Sequence, residues 1–424
     1  MAMDMRAAEL WKHSQGKESR MSRKKILILR ATYFASETPG NVRIKNFAKY
    51  LVEAGYDVTV AMLAKGVKRA SAPVRQDGYS LSLAHIPSWL NLLVRFFDYG
   101  VWRFFGYPHN WCLKSRILQR HIAKSFKRGD INLVIVSVPQ PGSLPVARFA
   151  AKMLGVPWVV DFRDIPDELD VKHEESVTRR EFAFTVEQCK DAAFAVTVSK
   201  PLKQALLERY GIRDVELVYN GYEGAYSGDS DGILRTRNFD ILYTGVLAGG
   251  RDPELLLCAL DNLVSQGFDL NGVRFVFVGI SSETAKRFEN HKCYSYIHAL
   301  GWKSRAKCLA MQREAGLLVS LASSGCVGIL TSKVFDYANA GRPVISVPSD
   351  YDALDEFIKT AGIGVAFDSP DEVAEYLKVQ IMAWRQGQPA PGYAPDSAFI
   401  KDFSRENQAM RLAKLVNKKV FSND

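Results

Sequence analysis

The chain has 424 residues, 47% of them hydrophobic and 24% charged, with a net charge of +10. That length predicts two domains or more, and the composition is that of a globular protein with ample core, not a disordered or fibrous one. No apolar run reaches the length of a membrane span, and residues 1–20 lack the apolar centre of a signal peptide.

The positive balance points to an anionic partner, with nucleotides, anionic lipid surfaces and nucleic acid as candidates. The six cysteines (112, 189, 258, 293, 308 and 326) are scattered, with no Cys-x-x-Cys pair and no histidine cluster. They read as reduced residues of a cytoplasmic protein, and no metal is expected. Residues 1–24 read as a disordered polar extension, with Met21 a second plausible start.

In chain order, 26–29 is a short apolar run after basic residues, the form of a first parallel strand. A loop over 33–41 contains Pro39-Gly40. A helix over 42–54 follows, with Ile44, Phe47, Ala48 and Leu51 on one face, then a strand over 57–62. This β-loop-α-β opening is half of a nucleotide-binding fold, although the loop has no Gly-x-Gly-x-x-Gly. The stretch 86–128 mixes aromatic residues, among them Trp89, Phe96, Phe97 and Trp102, with eight basic side chains against the single acid Asp98. Arg95, Arg103, Lys114 and Arg116 are among the eight. Such a mixture suits an anionic membrane surface; helices packed on the sheet with basic outer faces suit it equally. No nucleic-acid-binding module surrounds the basic residues, so nucleic acid is set aside.

A β-branched strand over 131–138 leads through a Pro/Gly turn into a helix ending near 154. The strand 158–162 ends in Arg163-Asp164, just past its carboxyl end, where α/β folds place function. A structural ion pair between these two residues is the alternative. A strand over 193–198 precedes a helix capped by Ser199 with Pro201 in its first turn. After the strand 215–219 comes Asn220-Gly221, and a Gly/Ser/Asp-rich stretch marks a domain boundary over 221–237.

The second half restarts with a strand over 239–244. Gly245 follows, and Arg251-Asp252-Pro253 leads into a helix over 254–264. A glycine turn with an arginine before a helix can cradle a diphosphate; a tight turn with a solvated arginine is the alternative. Strands over 273–278 and 296–300 end at Gly279 and at Gly301-Trp302. The strand 317–320 leads into the most informative stretch, residues 323–345. Small residues there allow close backbone approach. Thr331 or Ser332 can cap the next helix, and Lys333 puts a cation in its first turn. The helix dipole disfavours a cation there, a cost that a bound anion would offset. Asp336, one turn on, could accept hydrogen bonds from a ribose. Gly341 and Pro343 end the helix. Further α/β alternation, a Gly/Pro loop over 386–397 and a basic helix over 403–420 complete the chain.

The run Phe335-Asp336-Tyr337-Ala338-x-Ala340-Gly341-Arg342-Pro343-Val344-Ile345 resembles the donor-site helix of retaining GT-B glycosyltransferases of family 4. That family often carries two glutamates eight positions apart, the second on the donor ribose and the first on the sugar. The second corresponds to Asp336, a shorter acid, and the first to Gly328, so the sugar contact does not carry over. A bacterial surface-polysaccharide subgroup has a Gly-Ile-x-x-x-Lys-x-Phe-Glu-Tyr loop, which Gly328 to Tyr337 resembles. Residues 157–164 are similar to its Pro-Trp-Val-x-Asp-x-Arg-Asp signature, and residues 244–253 to its Thr-Gly-x-x-x-x-x-Arg-Asp-Pro.

The resemblance implies two facing Rossmann-like domains with parallel sheets and a cleft between them. They span 25–220 on the acceptor side and 238–397 on the nucleotide-sugar side, and a last helix over 398–424 returns to the first domain. It implies Arg163, Asp164, Arg251 and Lys333 as catalytic-cleft residues. Donor contacts would come from Gly40, Asn41, Gly245, Arg251, Gly279, Gly301, Trp302, Thr331, Ser332, Lys333 and Asp336. The implied reaction moves a sugar, with retention and without metal, from a nucleotide-diphosphate sugar to a polysaccharide, lipopolysaccharide or lipid-linked acceptor. The enzyme would be cytoplasmic and peripheral on the inner face of the plasma membrane. A sugar-nucleotide epimerase of the same architecture and a non-catalytic partner subunit remain open alternatives.

Overall fold

The structure, a computed structural model, describes residues 23–30, 39–65, 74–86, 96–97, 112–138, 141–165, 175–228, 236–248, 250–322 and 330–422. Two sheets organise them. The first has eight strands: β1 (Lys25–Arg30), β2 (Asp57–Lys65), β3 (Val74–Gln76), β4 (Tyr79–Ile86), β5 (Leu133–Val138), β6 (Trp158–Phe162), β7 (Phe194–Thr197) and β8 (Val215–Leu217). Their order is β3-β4-β2-β1-β5-β6-β7-β8. All pair in parallel except β3 with β4. Buried apolar runs on both faces suit such a sheet, and β5 is buried along its whole length.

The second sheet has six strands: β9 (Phe239–Thr244), β10 (Val273–Val278), β11 (Ile297–Ala299), β12 (Leu317–Leu321), β13 (Val344–Val347) and β14 (Gly364–Ala366). Their order is β11-β10-β9-β12-β13-β14, all parallel. In both sheets the chain winds out one way from its first strand and then resumes on the other side. The switch points are β1/β5 and β9/β12. Ligands of open α/β sheets bind at the carboxyl ends of the strands at such points.

Helix α1 (Pro39–Glu53) connects β1 to β2. It starts three residues earlier than the sequence suggests, so Pro39-Gly40 belongs to its first turn and not to a loop. A proline is tolerated there because the first amides of a helix need no intrahelical partner. The hairpin of β3 and β4 has no counterpart in the sequence reading. Its turn, Asp77-Gly78, has positive φ at both residues (48° and 84°), as a two-residue turn matched to strand twist requires.

The other helices used below are α2 (Cys112–Ser125), α3 (Glu254–Ser265), α4 (Arg305–Glu314), α5 (Ser332–Ala340) and α6 (Arg405–Val416). Helix α6 packs on α1, and its Ala409, Leu412, Ala413 and Val416 share a core with Ile44, Phe47 and Leu51. The sequence extends this last helix over 403–420. It in fact begins at Arg405, after its N-cap Ser404, and ends in a wider turn over Asn417–Phe421.

The chain passes between the two sheets twice, side by side. Tyr222 N–H donates to the Phe403 carbonyl (3.2 Å) and Arg405 N–H to the Tyr222 carbonyl (2.9 Å). A Cβ on Gly221 would lie 2.3 Å from the Phe403 oxygen, so this crossing needs glycine. The Arg405 side chain donates to the Gly221 carbonyl at 2.7 Å.

Near this crossing lies a buried ion pair. Arg43, on α1, donates to both oxygens of Asp161, the nearest at 2.8 Å, and to the carbonyls of Val218 and Tyr219 at 2.7 Å each. Both side chains are almost wholly buried. Removing one partner of such a pair leaves an uncompensated buried charge. Asp161→Leu should therefore cost about 3–5 kcal/mol in urea unfolding, and Arg43→Met with Asp161→Leu clearly less than the sum of the single changes.

Candidate active site

The second switch point is built from three glycine turns and one helix end. Gly245 follows β9, Gly279 follows β10 and Gly301 follows β11. Gly245 N–H donates to the Val278 carbonyl (2.7 Å) and Gly279 N–H to the Gly301 carbonyl (2.8 Å). At Gly279, φ is 102° and a Cβ would meet the Gly245 oxygen at 2.7 Å. Trp302, beyond Gly301, is 82% exposed, a free ring beside the strand ends.

Thr331 is the N-cap residue of α5, but its hydroxyl makes no cap. The amides of Ser332 and Lys333 are therefore left for another acceptor. The Lys333 ammonium lies 4.9 Å from the centre of the Tyr243 ring, where a Cβ on Gly245 would be only 2.0 Å from it. Burial, with Arg251 nearby, pushes its pKa down to about 8. Arg251 donates to the Ala248 carbonyl at 3.1 Å. Among the described residues neither cation has an acidic partner. Two like charges thus stand together at a helix N-terminus, which is unfavourable until an anion joins them.

Asp336 sits one turn further along α5 and is 6% exposed. Arg305, the first residue of α4, donates to its Oδ1 at 2.9 Å. Its other oxygen has no partner among the described residues. Burial raises the pKa of the carboxyl against the pull of Arg305 and Arg405. Arg305 is absent from the sequence reading, because 31 residues separate it from Asp336.

At the first switch point, Gly40 and Asn41 lie in the first turn of α1. Asn41 is buried and its side-chain oxygen accepts from Arg30 at 3.0 and 3.2 Å. Arg163 follows β6, and a Cβ on Gly40 would sit 1.8 Å from its guanidinium. The expected alternative of an Arg163–Asp164 ion pair is not what forms: the pair is Arg43–Asp161. Burial holds Arg163 below the usual arginine range and raises Asp164 above the usual carboxylate range.

Trp89, Arg95, Trp102, Arg103 and Gly328 fall outside the described residues. Lys114 and Arg116 lie on α2, with Arg116 exposed. Among the described residues, Asp261, His291 and Cys293 form one group able to offer metal ligands within 4.8 Å of one another. In the structure Asp261 accepts from the Cys293 amide (2.8 Å) and meets His291 Nδ1 (2.9 Å), tying α3 to the segment that leads into β11. No described helix is long and apolar enough to cross a membrane.

Residues 40–223 match the family described as Glycosyltransferase Family 4. That match spans most of the first domain and less than half of the chain. No curated protein matches it in sequence. Solved structures align over nearly all of it. Sucrose-phosphate synthase from Thermosynechococcus elongatus is 13% identical, covering 95% of this chain and 100% of its own, with a TM-score of 0.65. Anabaena HepE in complex with UDP and glucose is 12% identical, covering 93% and 100%, at 0.63. The lipopolysaccharide outer core galactosyltransferase WaaB is 14% identical, covering 93% and 100%, at 0.55. These likenesses show the fold, which is GT-B.

Two predictions follow for this site. Lys333→Ala and Arg251→Ala should each weaken nucleoside diphosphate binding about tenfold or more, for the loss of a charge-assisted contact of about 1.5–3 kcal/mol, with melting temperature retained. Calorimetry and thermal unfolding check both halves. The second concerns pH. A bound diphosphate should lift the Lys333 pKa, so above pH 8 binding takes up a proton. Affinity should stay level below pH 8 and fall by up to about tenfold per pH unit above it, until the pKa of the bound state is reached. Lys333→Arg should remove the fall.

Proposed function

We propose that the enzyme moves a sugar from a nucleotide-diphosphate sugar to a glycan or lipid-linked glycan, with retention of configuration and without a metal. The observation that carries this reading is the juxtaposition of Lys333 and Arg251 at the N-terminus of α5 with no acidic partner among the described residues. A departing diphosphate develops negative charge, and fixed cations with helix amides stabilise it best when they are in place beforehand. Those groups supply the charge that a metal would otherwise bring. The second oxygen of Asp336 would accept from ribose hydroxyls, and Trp302 would offer a face for a base. HepE was solved with UDP and glucose, which puts UDP-sugars first among the donors to try.

Acceptor transfer falls to the first domain, at Arg163 and Asp164. No pair of carboxylates of the glycosidase kind is needed if the acceptor attacks from the face that the diphosphate leaves. The membrane part of the reading rests on the basic face of α2 and on Phe96 and Phe97, which are 69% and 55% exposed. Each basic residue near an anionic leaflet contributes about 1 kcal/mol of reversible attraction.

The deciding experiment is a binding and turnover screen of UDP-, GDP-, ADP- and dTDP-sugars with the purified protein, in EDTA. One nucleotide should bind in the micromolar range. Binding by none would defeat the proposal, and release of a free sugar-nucleotide isomer without acceptor would mean an epimerase. For the membrane part, the protein should float with anionic liposomes at low salt. Arg95/Arg103/Lys114/Arg116→Ser should abolish flotation, and a wild type that stays soluble would refute the association.

A further inference from the structure

The second domain holds a group of ligand-type side chains outside the residues assigned to the diphosphate. Asp261 stands two turns along α3, and His291 and Cys293 flank Lys292 in the segment before β11. A carboxylate oxygen, an imidazole nitrogen and a thiol sulfur from these three residues lie within 4.8 Å of one another. Asp261 Oδ2 is 2.9 Å from His291 Nδ1, and Oδ1 accepts from the Cys293 amide at 2.8 Å. Cys293 is wholly buried, and the Asp261 and His291 side chains are mostly so. Lys292, between the two ligand-type residues, is turned away to Ser265 Oγ at 2.8 Å.

Hydrogen bonding explains part of this arrangement, since Asp261 satisfies an amide at the start of the turn over Lys292–Tyr296. It does not explain what surrounds the imidazole and the thiol. His291 Nε2 faces a second carboxylate, Glu254 Oε2, at 3.4 Å. The other Glu254 oxygen accepts from Cys258 Sγ at 3.5 Å. A metal-ligating histidine usually gives one ring nitrogen to the ion and the N–H of the other to a carboxylate, as His291 is set to do. The Cys293 thiol has only a long contact, 3.7 Å to the Leu257 carbonyl. Burial raises its pKa, so it stays a thiol until a cation takes the proton's place. Sulfur, nitrogen and oxygen together suit zinc, whereas magnesium and calcium take oxygen sets. Zinc bonds of about 2.0–2.3 Å put neighbouring ligand atoms roughly 3.3–3.8 Å apart. Side-chain rotation alone can bring a group within 4.8 Å to that spacing.

We propose that Asp261, His291 and Cys293 bind one divalent ion of the zinc class, with Glu254 orienting the imidazole and the fourth position left to water. The role is structural: the ion pins α3 to the segment that leads into β11. Glu254 opens α3 directly after Arg251-Asp252-Pro253, and Gly301-Trp302 follows β11. The ion therefore steadies two of the elements that build the second switch point. No step of sugar transfer passes through it, and the proposal does not depend on the donor reading.

The test uses the full chain, reduced, stripped with EDTA, freed of chelator and titrated with Co2+ and with Zn2+. Cobalt should give a thiolate-to-metal absorption band that saturates at one ion per chain and that zinc removes. Zinc should raise the melting temperature, as a ligand of the folded state does. His291→Gln and Cys293→Ser should each abolish both the band and the zinc-dependent rise. Glu254→Gln should weaken zinc binding about tenfold or more. Cys293 is wholly buried, so its variant can lose stability through packing alone; His291→Gln and the comparison of each protein with and without zinc keep the test decisive. No cobalt band in the wild type, a melting temperature indifferent to zinc, or a band kept by either variant would overturn the proposal. A merely hydrogen-bonded cluster gives the first two of these results. A failed nucleotide screen would leave the outcome standing, because no donor enters the experiment.

Discussion

The buried pair of Arg43 and Asp161 holds together the parts on which the cleft depends. One guanidinium joins α1, the end of β6 and the carbonyls of Val218 and Tyr219, where the chain leaves the first sheet. A buried pair contributes little net stability compared with apolar packing, but it fixes geometry, since either charge alone is costly there. It also settles the local charge balance. By occupying Asp161, Arg43 leaves Arg30 and Arg163 without an ion-pair partner among the described residues.

The second domain reaches a similar imbalance by other means. Lys333 is placed by helix geometry, in a first turn where its charge opposes the dipole. It is also placed by glycine, because Gly245 leaves the space its ammonium fills. Asp336 is held by Arg305 through one oxygen only. Each domain thus presents uncompensated groups at the switch point of its own sheet. The fold supplies the cores and these exceptions to local neutrality supply the chemistry. Burial makes the exceptions effective, because a charge in a recess is screened less than one in open water.

Much of this was legible in the sequence, for physical reasons. Parallel strands buried on both faces announce themselves as apolar runs, and glycines at 245, 279, 301 and 341 mark turns whose geometry depends on them. Lys333 stood out because it breaks the charge preference of a helix start. What could not be read was pairing at a distance. Arg30 looks like one more basic residue after a strand, and only the packing shows its Nη1 buried without a partner among the described residues. Arg163 and Asp164 are neighbours in sequence and suggest a pair, yet the carboxylate that forms one is Asp161, with an arginine 118 residues away. Arg305 gave no signal because its meaning lies wholly in its contact with Asp336. The hairpin of β3 and β4 did have a signal, Asp77-Gly78 before the alternating apolar run of β4, but β3 has only three residues and gives that turn no visible first arm.

The return of α6 to the first domain has a consequence for how the molecule is made. The core that contains Ile44 and Phe47 is completed by Leu412 and Val416, residues that leave the ribosome long after α1 does. The first domain is therefore continuous in space but not along the chain. The second sheet, with all its strands between 239 and 366, can assemble while the earlier half still lacks one helix. Synthesis usually lets an N-terminal domain fold first. Here the order is inverted for that step: α1 keeps an apolar face uncovered until α6 arrives, and closing that face also lays down the second of the two crossings between the domains.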